Sequence, residues 1–375
     1  MQSSFYDLAN RYAQLSKQGD PLERLSSLID WEMFRVILET IDSKARKSTA
    51  GRKLTDRVLM FKILILQRLH NLADESLEFQ IKDRLSFMRF LGLELAGTVP
   101  DARTVWAFRE ELKAHRLIDR LFDMFNTQLF NLGVSMKSGQ IIDATFIAVP
   151  IQRNTKSENE QIKAGATEAN KHDNTPLEWL DTNKLTAKQS KKKIAHKDID
   201  ARWTKKNSQS HYGYKDHINI DADTKLITQW VASDASVHDS QAIEAVLLPA
   251  DEGGACVHAD SAYRSDAIET ILQNKQLTSC IHERAYTGKA LTDEQKASNK
   301  VKSKLRARVE HVFGHMQTVL GGMLIRSIGF ARAHVAIGLM NLTYNLTRIE
   351  CLIRLEKIKL NRIGKIGAPC GGAAR

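Results

Sequence analysis

Apolar residues at three- and four-residue spacing dominate the first third of the chain, which is typical of helices with one buried face. Three segments show this spacing: WEMFRVILETI, LTDRVLMFKILILQRLHNL and the stretch from 117 to 132. In PDARTVWAFREEL, Pro100 and Asp101 predict the start of a helix over Thr104 to Leu112. The pattern predicts an all-α N-terminal domain over 1–135. This domain either includes a helix-turn-helix that reads DNA or serves only structure and dimerisation.

From Gly139 onward the pattern changes to runs that are typical of strands. IIDATFIAV is rich in β-branched residues and lies between Gly139 and Pro150, as a buried strand would. YGYKDHINI and LITQWVA flank the polar stretch DADT and predict a β-hairpin. Further on, CVHAD, DAIETILQNK and LTSCI predict a strand, a helix and another strand.

Three more helices complete the pattern. They are predicted from Asp239 to Leu248, from Val301 to Leu320 and from Arg332 to Leu355. The order of elements predicts an α/β protein, with a ribonuclease H-like mixed sheet flanked by helices, an all-α N-terminal domain and a C-terminal helix. The catalytic domain is expected over 136–355, followed by a basic, glycine-rich tail over 356–375.

The charge of the chain favours a polyanionic partner. Lys and Arg number 55 against 44 Asp and Glu, which gives a net charge of +11 and a pI of about 9.4. Solubility alone explains such an excess equally well. Part of it lies in an insertion over 151–209, where the stretch from Lys184 to Lys206 has nine basic residues against two Asp. This stretch is either a DNA-binding surface or a solvated charged linker.

Cysteine usage and hydropathy argue against an exported or membrane protein. The four cysteines form no C-x-x-C pair and no spacing typical of zinc ligands. The most apolar run, from Val58 to Leu66, is short and contains Lys62. We therefore expect a cytoplasmic protein without membrane contact.

Three acidic residues are candidates for metal chemistry. Asp143 lies within an apolar strand, where an unpaired carboxylate is costly, so a metal ligand is favoured over an exposed strand residue. Asp260 ends its strand and, taken alone, is better explained as a turn residue. Glu310 follows Arg306 by four residues. The two form either a surface pair or a unit in which Glu310 reaches metal ions and Arg306 contacts a phosphate or orients the acid.

Four blocks in this order make the sequence resemble a known family: IIDATFIAVP, DARWTKKNSQSHYGYKDHINID, HADSAYRS and RARVEHVFGHMQ. They are similar to successive blocks of the DDE transposases of the insertion-sequence-five group, whose catalytic domain is of the insertion-sequence-four type. NLADESLEFQIKDRLSFMRFLGLEL and PDARTVWAFREEL resemble the helical N-terminal domain of that group. The resemblance spans about residues 20 to 350.

The resemblance implies that Asp143, Asp260 and Glu310 are the catalytic acids and hold two Mg²⁺ ions, for which Mn²⁺ can substitute. It implies strand cleavage at the ends of a bacterial insertion sequence and strand transfer into target DNA. The expected partners are double-stranded DNA, as terminal inverted repeats and as target, and further copies of the chain in a dimer or larger assembly. Two alternatives stay open: a catalytically inactive DNA-binding descendant, and a ribonuclease H-like nuclease without strand transfer.

The family signature around the third acid is Tyr, two residues, Arg, three residues, Glu, six residues, Lys. Arg306 and Glu310 keep this spacing, whereas Ser303 and Gln317 stand at the Tyr and Lys positions. Neighbouring basic residues are therefore candidates for the missing phosphate contacts. The expected DNA-binding residues come from the basic insertion, from the strand-like sequence after it and from the region of the third acid. They are Lys191, Lys192, Lys193, Arg202, Lys205, Lys206, Lys215, Lys302, Lys304 and Arg308.

Overall fold

The first part of the chain is helical, as its apolar spacing predicts. The structure is a computed structural model that describes residues 7–42, 55–134, 137–149, 198, 200–206, 208–253, 255–285, 290–360 and 365–367. Its N-terminal helices are α1 (Asp7–Lys17), α2 (Pro21–Leu28), α3 (Arg35–Leu38), α4 (Arg57–His70), α5 (Asp74–Asp83), α6 (Leu85–Leu91), α7 (Ala102–Ala114) and α8 (Leu117–Asn131). WEMFRVILETI is not one helix, because 3₁₀ turns at Trp31–Phe34 and Glu39–Asp42 flank the short α3.

Helix α7 begins where the sequence predicts. The carboxylate of Asp101 accepts a hydrogen bond from the Thr104 backbone N–H at 2.7 Å, which caps the helix. Val105, Phe108 and Leu112 are all buried on its inner face. The helix extends two residues further at each end than Thr104 to Leu112.

Loss of this cap has a measurable expected effect. Asp101→Ala removes the acceptor for an N–H that has no partner within the helix, and we expect a loss of about 1 kcal/mol in unfolding free energy. Chemical denaturation of the variant and the unmodified protein measures the difference. An unchanged midpoint would show that the cap contributes nothing to stability.

A mixed six-stranded sheet forms the centre of the molecule. Its strands are β1 (Gln140–Ala148), β2 (Arg202–Lys206), β3 (Gln209–Asp221), β4 (Ile227–Asp234), β5 (Cys256–His258) and β6 (Thr278–Ser279). The order is β4-β3-β1-β5-β6, and β2 pairs with the first part of β3. Strand β3 is antiparallel to its three neighbours, whereas β5 is parallel to β1 and to β6. An antiparallel meander continued by parallel strands is the ribonuclease H-like topology, so the predicted fold class is confirmed.

The remaining helices are α9 (Ile243–Val246), α10 (Ala250–Gly253), α11 (Asp266–Asn274), α12 (Asp293–Arg306), α13 (Arg308–Thr318) and α14 (Phe330–Arg354). Two predictions about them are wrong. Instead of one helix from Asp239 to Leu248 there is a 3₁₀ turn at Asp239–Gln241 followed by α9, and Pro249 disfavours helical backbone at the residue before it. Instead of one helix from Val301 to Leu320, α12 and α13 are separated at Ala307.

Helix α14 connects the N-terminal helices to the sheet. It packs against β4 and against α2, α4, α7 and α8. Its buried residues include Leu342, Leu346 and Ile349, as predicted from their spacing. A single hydrophobic cluster therefore runs from the N-terminal helices through α14 to the sheet. No helix in the described ranges has the length and apolar character that a membrane span requires.

Candidate active site

Asp143 lies in the middle of β1, and its carboxylate is almost buried. The antiparallel register places Asp143 opposite Ile218, and the residue is 7% exposed. Its Oδ1 accepts a hydrogen bond from the Ala144 backbone N–H at 2.8 Å. Its Oδ2 accepts one from Arg306 Nη1 at 2.7 Å. A strand residue is thus paired with a helix residue that lies 163 positions later in the chain.

Arg306 stands between two of the three predicted acids. It is the last residue of α12, and the break at Ala307 starts α13 so that Glu310 falls in the first turn of the new helix. Arg306 Nη2 lies 3.7 Å from Glu310 Oε1, while Nη1 contacts Asp143. The Glu310 side chain is 61% exposed, so it faces solvent. The guanidinium group therefore holds Asp143 and Glu310 on either side of itself.

Asp260 follows β5, the parallel neighbour of β1. The register pairs Ile141 with His258, so Asp260 lies two residues beyond the last paired position. Its Oδ1 accepts a hydrogen bond from the Ala262 backbone N–H at 2.7 Å, which caps a 3₁₀ turn. The turn interpretation of Asp260 is therefore correct. Its charge also adds to the rise in the pKa of Asp143, so Asp260 lies close enough to act on that carboxylate.

Burial raises the pKa of Asp143 to about 6. The hydrogen bond from Ala144 and the charge of Arg306 oppose this effect, as does Lys206 more weakly, whereas Asp260 adds to it. The rise shows that the anionic form of Asp143 is poorly compensated even with Arg306 bound. A divalent cation at this position would provide the missing compensation.

The acids fit a magnesium site in their chemistry. Carboxylate oxygens are the ligands that Mg²⁺ prefers, and Asp143, Asp260 and Glu310 supply them from a strand, a turn and a helix. Within the described ranges, however, no three acidic, His or Cys side chains are close enough together to hold a metal ion. Arg306 lies between Asp143 and Glu310. In this structure the guanidinium group therefore occupies the position beside Asp143 Oδ2.

Two residues near the acids were missed by sequence reasoning. The Tyr263 hydroxyl is buried and has no hydrogen-bond partner among the described residues, and its pKa is raised by burial and then by Asp143, Asp239 and Asp260. Asp239 accepts a hydrogen bond from Lys215 Nζ at 2.8 Å. No sequence signal separates Tyr263 from an ordinary core tyrosine. Asp239 lies in a polar stretch that is typical of a loop, so nothing marks it as a site residue.

The predicted DNA-binding residues differ in their surroundings. Lys215 is 6% exposed, and its Nζ also donates to the Val237 carbonyl at 2.6 Å. Strand β3 therefore directs this side chain inward against the Asp239 turn, and the role of Lys215 in DNA binding stays a prediction. Lys205 and Lys206 are exposed on β2, and Arg202 is partly buried. Lys191, Lys192 and Lys193 lie outside the described residues, so their role stays a prediction.

Basic residues on α12 and α13 divide into paired and unpaired ones. Lys302 Nζ donates to the Ile281 carbonyl at 2.8 Å and lies 3.3 Å from Glu283 Oε1. Arg308 Nη1 lies 2.7 Å from Asp223 Oδ1. Lys304 is exposed, and no ion pair joins it to any described residue. Of this group, Lys304 presents its charge to solvent most fully.

Two positions that depart from the family signature have other contacts. Ser303, at the Tyr position, shares a hydrogen bond with His282 Nε2 at 2.8 Å and donates to the Asn299 carbonyl. Gln317, at the Lys position, is exposed on α13. Neither side chain carries a positive charge toward the acids.

Arg306 thus contacts both Asp143 and Glu310, and Asp260 follows the strand that runs parallel to β1 in a ribonuclease H-like sheet. The sequence profile named Transposase DDE domain matches residues 135–346, more than half of the chain. The profile named Transposase domain (DUF772) matches residues 10–111. This chain belongs to the family of transposases with a DDE domain.

A solved structure was also found. The cryo-EM structure of a piggyBac transposase synaptic complex with hairpin DNA is 12% identical and covers 91% of this chain and 77% of that chain, with a TM-score of 0.42. A likeness this weak adds nothing to the family assignment.

Proposed function

We propose that this protein cleaves DNA strands at the ends of an insertion sequence and joins them to target DNA, and that Asp143, Asp260 and Glu310 are its catalytic acids. The observation that carries the proposal is the contact of Arg306 with both Asp143 and Glu310 beside the strand that leads to Asp260. A surface ion pair between Arg306 and Glu310 alone would not explain the contact with Asp143, which is buried on a distant strand. A site that gathers acidic side chains from separate segments does explain it.

Two divalent ions, when bound, activate the attacking oxygen and stabilise the leaving oxygen in phosphoryl transfer. The residues of this chain do the rest. Asp143, Asp260 and Glu310 supply carboxylate oxygens, and the rigid strand β1 fixes the position of the first. Arg306 leaves Asp143 and becomes available to bind a phosphate oxygen of the DNA, since guanidinium groups bind phosphates in a bidentate way.

The proposed reaction consists of two in-line displacements at phosphorus. In the first, water attacks a phosphodiester at the element end, and the 3′ oxygen leaves and takes up a proton. In the second, that 3′ hydroxyl attacks a phosphodiester of the target and releases the target's own 3′ oxygen. One phosphodiester forms for each that breaks in the second step, so joining needs no external energy source.

The activity is tested with labelled DNA that carries the inverted repeats flanking the gene. With Mg²⁺ or Mn²⁺ we expect both nicked and joined products, and neither without a divalent ion. Cleavage without any joined product would assign the protein as a nuclease. Binding without cleavage would assign it as an inactive DNA-binding descendant. Either result overturns the proposal.

Lys304 and Lys302 provide a matched pair for mapping the DNA surface beside the site. Lys304→Gln removes an exposed charge. The negative slope of log K against log salt should therefore become shallower by about 1, as expected for one lost phosphate contact. Lys302→Gln removes a charge already held by Glu283 and the Ile281 carbonyl, and we expect a smaller change in slope. Salt titrations of DNA binding measure both. Equal slopes for Lys304→Gln and the unmodified protein would remove Lys304 from the interface.

A further inference from the structure

A cavity of about 530 Å³ lies between the N-terminal helices and the loop that precedes α14. Its walls come from α4, α5, α7, the start of α14 and residues 324–328. Trp106 of α7 lines it and is 48% exposed. Pockets of 300 to 1,000 Å³ are typical of small-molecule and cofactor sites, so this cavity accepts a group larger than a single ion. None of the predicted catalytic acids lines it.

The charged residues of the cavity are unbalanced. Five cationic side chains line it against three acidic ones, an excess of two: Arg68, Arg109, Lys113, Arg326 and Arg332 against Asp74, Glu75 and Glu110. Three of the cations are in ion pairs, because Arg109 binds Asp74 while Lys113 and Arg332 bind Glu110. Arg68 and Arg326 form no ion pair with any described residue, although Arg326 also acts on Asp74 through its charge. The excess charge of the cavity is thus carried by these two guanidinium groups.

Arg68 is an unusual residue because it is half-buried and has no counter-ion among the described residues. Its Nη2 donates to the Gly322 carbonyl at 3.1 Å and to the Met340 sulfur at 3.0 Å. Its Nε is buried and has no hydrogen-bond partner among the described residues. Burial, together with the charge of Arg326, lowers the pKa of Arg68 to about 10. Two guanidinium groups on one cavity wall, close enough for their charges to act on each other, form a site suited to an anion.

The loop that carries Arg326 is fixed to the end of α4. Asn71 Nδ2 donates to the Gly321 carbonyl at 2.7 Å, and Asn71 Oδ1 accepts from Arg326 Nη1 at 3.2 Å. Gly321 has a φ of +74°, and a Cβ built there would lie 2.1 Å from the Asn71 side chain, so the close approach requires glycine. The two guanidinium groups are therefore held in place before any ligand binds.

The cavity is joined directly to the strand of the candidate active site. Ala148 at the end of β1 pairs with Leu324, and the Ile325 N–H donates to the Ala148 carbonyl at 3.0 Å. Ala148 lies five residues beyond Asp143, which corresponds to about 17 Å along an extended strand. This is the length of about five phosphate steps along one strand of duplex DNA, so a DNA strand that reaches Asp143 is long enough to reach the cavity as well.

We propose that this cavity binds a phosphodiester group of the DNA substrate through Arg68 and Arg326. The inference rests on the proposed function, since it assigns the DNA a second point of attachment. It goes beyond that function by placing the contact between the N-terminal helices and β1, away from the acids. Such a contact fixes the distance between a bound DNA strand and Asp143.

The decisive variant is Arg326→Gln, because this side chain is exposed and its loss leaves the core intact. We expect about tenfold weaker DNA binding, since a hydrogen bond to a charged group is lost, and a salt slope reduced by about 1. Arg120→Gln is the matched control, because Arg120 is an exposed arginine on α8 outside the cavity. Arg68→Gln should act in the same direction as Arg326→Gln, and circular dichroism establishes that it folds.

Equal binding and equal salt slopes for Arg326→Gln and Arg120→Gln would overturn the inference while the proposed function stands. An unmodified protein that binds no DNA would overturn the proposed function itself. Inorganic phosphate serves as a second probe at constant ionic strength. One combined result would show that the cavity binds free phosphate and that its assignment to DNA is wrong. In that result, phosphate raises the melting temperature of the unmodified protein but not of Arg326→Gln, and the two proteins have the same salt slope for DNA binding.

Discussion

The Asp143→Asn protein is expected to lose strand cleavage and joining by about a thousandfold or more, while it still binds DNA. Metal ions contribute several kcal/mol to phosphoryl transfer, and each 1.36 kcal/mol is a factor of ten in rate. The amide keeps the size of the carboxylate but supplies a neutral oxygen in place of a charged one. The basic residues that bind DNA are unchanged. Cleavage rates under saturating DNA separate the loss of chemistry from any loss of binding.

The control for this variant is Asp83→Asn, because Asp83 is exposed at the end of α5, far in sequence from the three acids. It removes the same charge and should cleave DNA at the unmodified rate. Thermal melting establishes that Asp143→Asn still folds after losing its ion pair with Arg306. A folded Asp143→Asn protein that cleaves DNA like the control would remove Asp143 from the catalytic acids.

A second large effect is expected at Asp216, where Asp216→Asn should stabilise the protein by a few kcal/mol at pH 8. Asp216 is fully buried on β3, and its Oδ1 accepts one hydrogen bond, from Asn341 Nδ2 at 3.1 Å. Among the described residues, Asp216 Oδ2 and Asn341 Oδ1 have no partner. In Asp216→Asn the side-chain amide N–H can donate to Asn341 Oδ1, which otherwise has no donor, and the buried charge is removed.

The pH dependence follows from the pKa of Asp216, which burial raises to about 7 from an ordinary 3.8. Below pH 4 the group is protonated in both the folded and the unfolded chain, so it does not change stability with pH. Between pH 4 and 7 the unfolded chain releases the proton and the folded one keeps it. Stability therefore falls as pH rises through this range, by about 1.4 kcal/mol per unit, and levels off above pH 7.

Denaturation at pH 5 and pH 8 measures this effect. The advantage of Asp216→Asn should be larger at pH 8 than at pH 5, whereas Asp83→Asn should stay within about 0.5 kcal/mol of the unmodified protein at both. An Asp216→Asn protein that is less stable at pH 8 would mean that Asp216 is charged and compensated in the folded state.

Much of the fold follows from periodic patterns in the sequence. The strand around Asp143, the hairpin of β3 and β4, and the helix α14 all have long segments whose apolar residues fix one buried face. The order of these elements is enough to predict the sheet, because short connections leave few topologies open. Local spacing was less informative where tertiary contacts decide the ends of elements. Gln140 hydrogen-bonds both the N–H and the carbonyl of Leu248, which lies just beyond the short helix α9, so the predicted helix ends before it.

The candidate site was only partly visible in the sequence. Asp143 stood out as an acid in an apolar strand, but Asp260 looked like a turn residue, which it is. Its proposed role as a catalytic acid depends on the parallel pairing of β5 with β1, and no local pattern encodes that pairing. The inward direction of Lys215 depends likewise on its contact with Asp239, 24 residues later. Long-range pairing decides both cases, and a single sequence does not record it.

The position of the bound metal tests the central claim most directly. Crystals of the protein with an element end and Mn²⁺ would locate the ions by their anomalous scattering, without any need for turnover. We predict manganese bound by Asp143, Asp260 and Glu310, with Arg306 withdrawn from Asp143. Manganese bound elsewhere, with the contact between Arg306 and Asp143 still in place, would contradict the account.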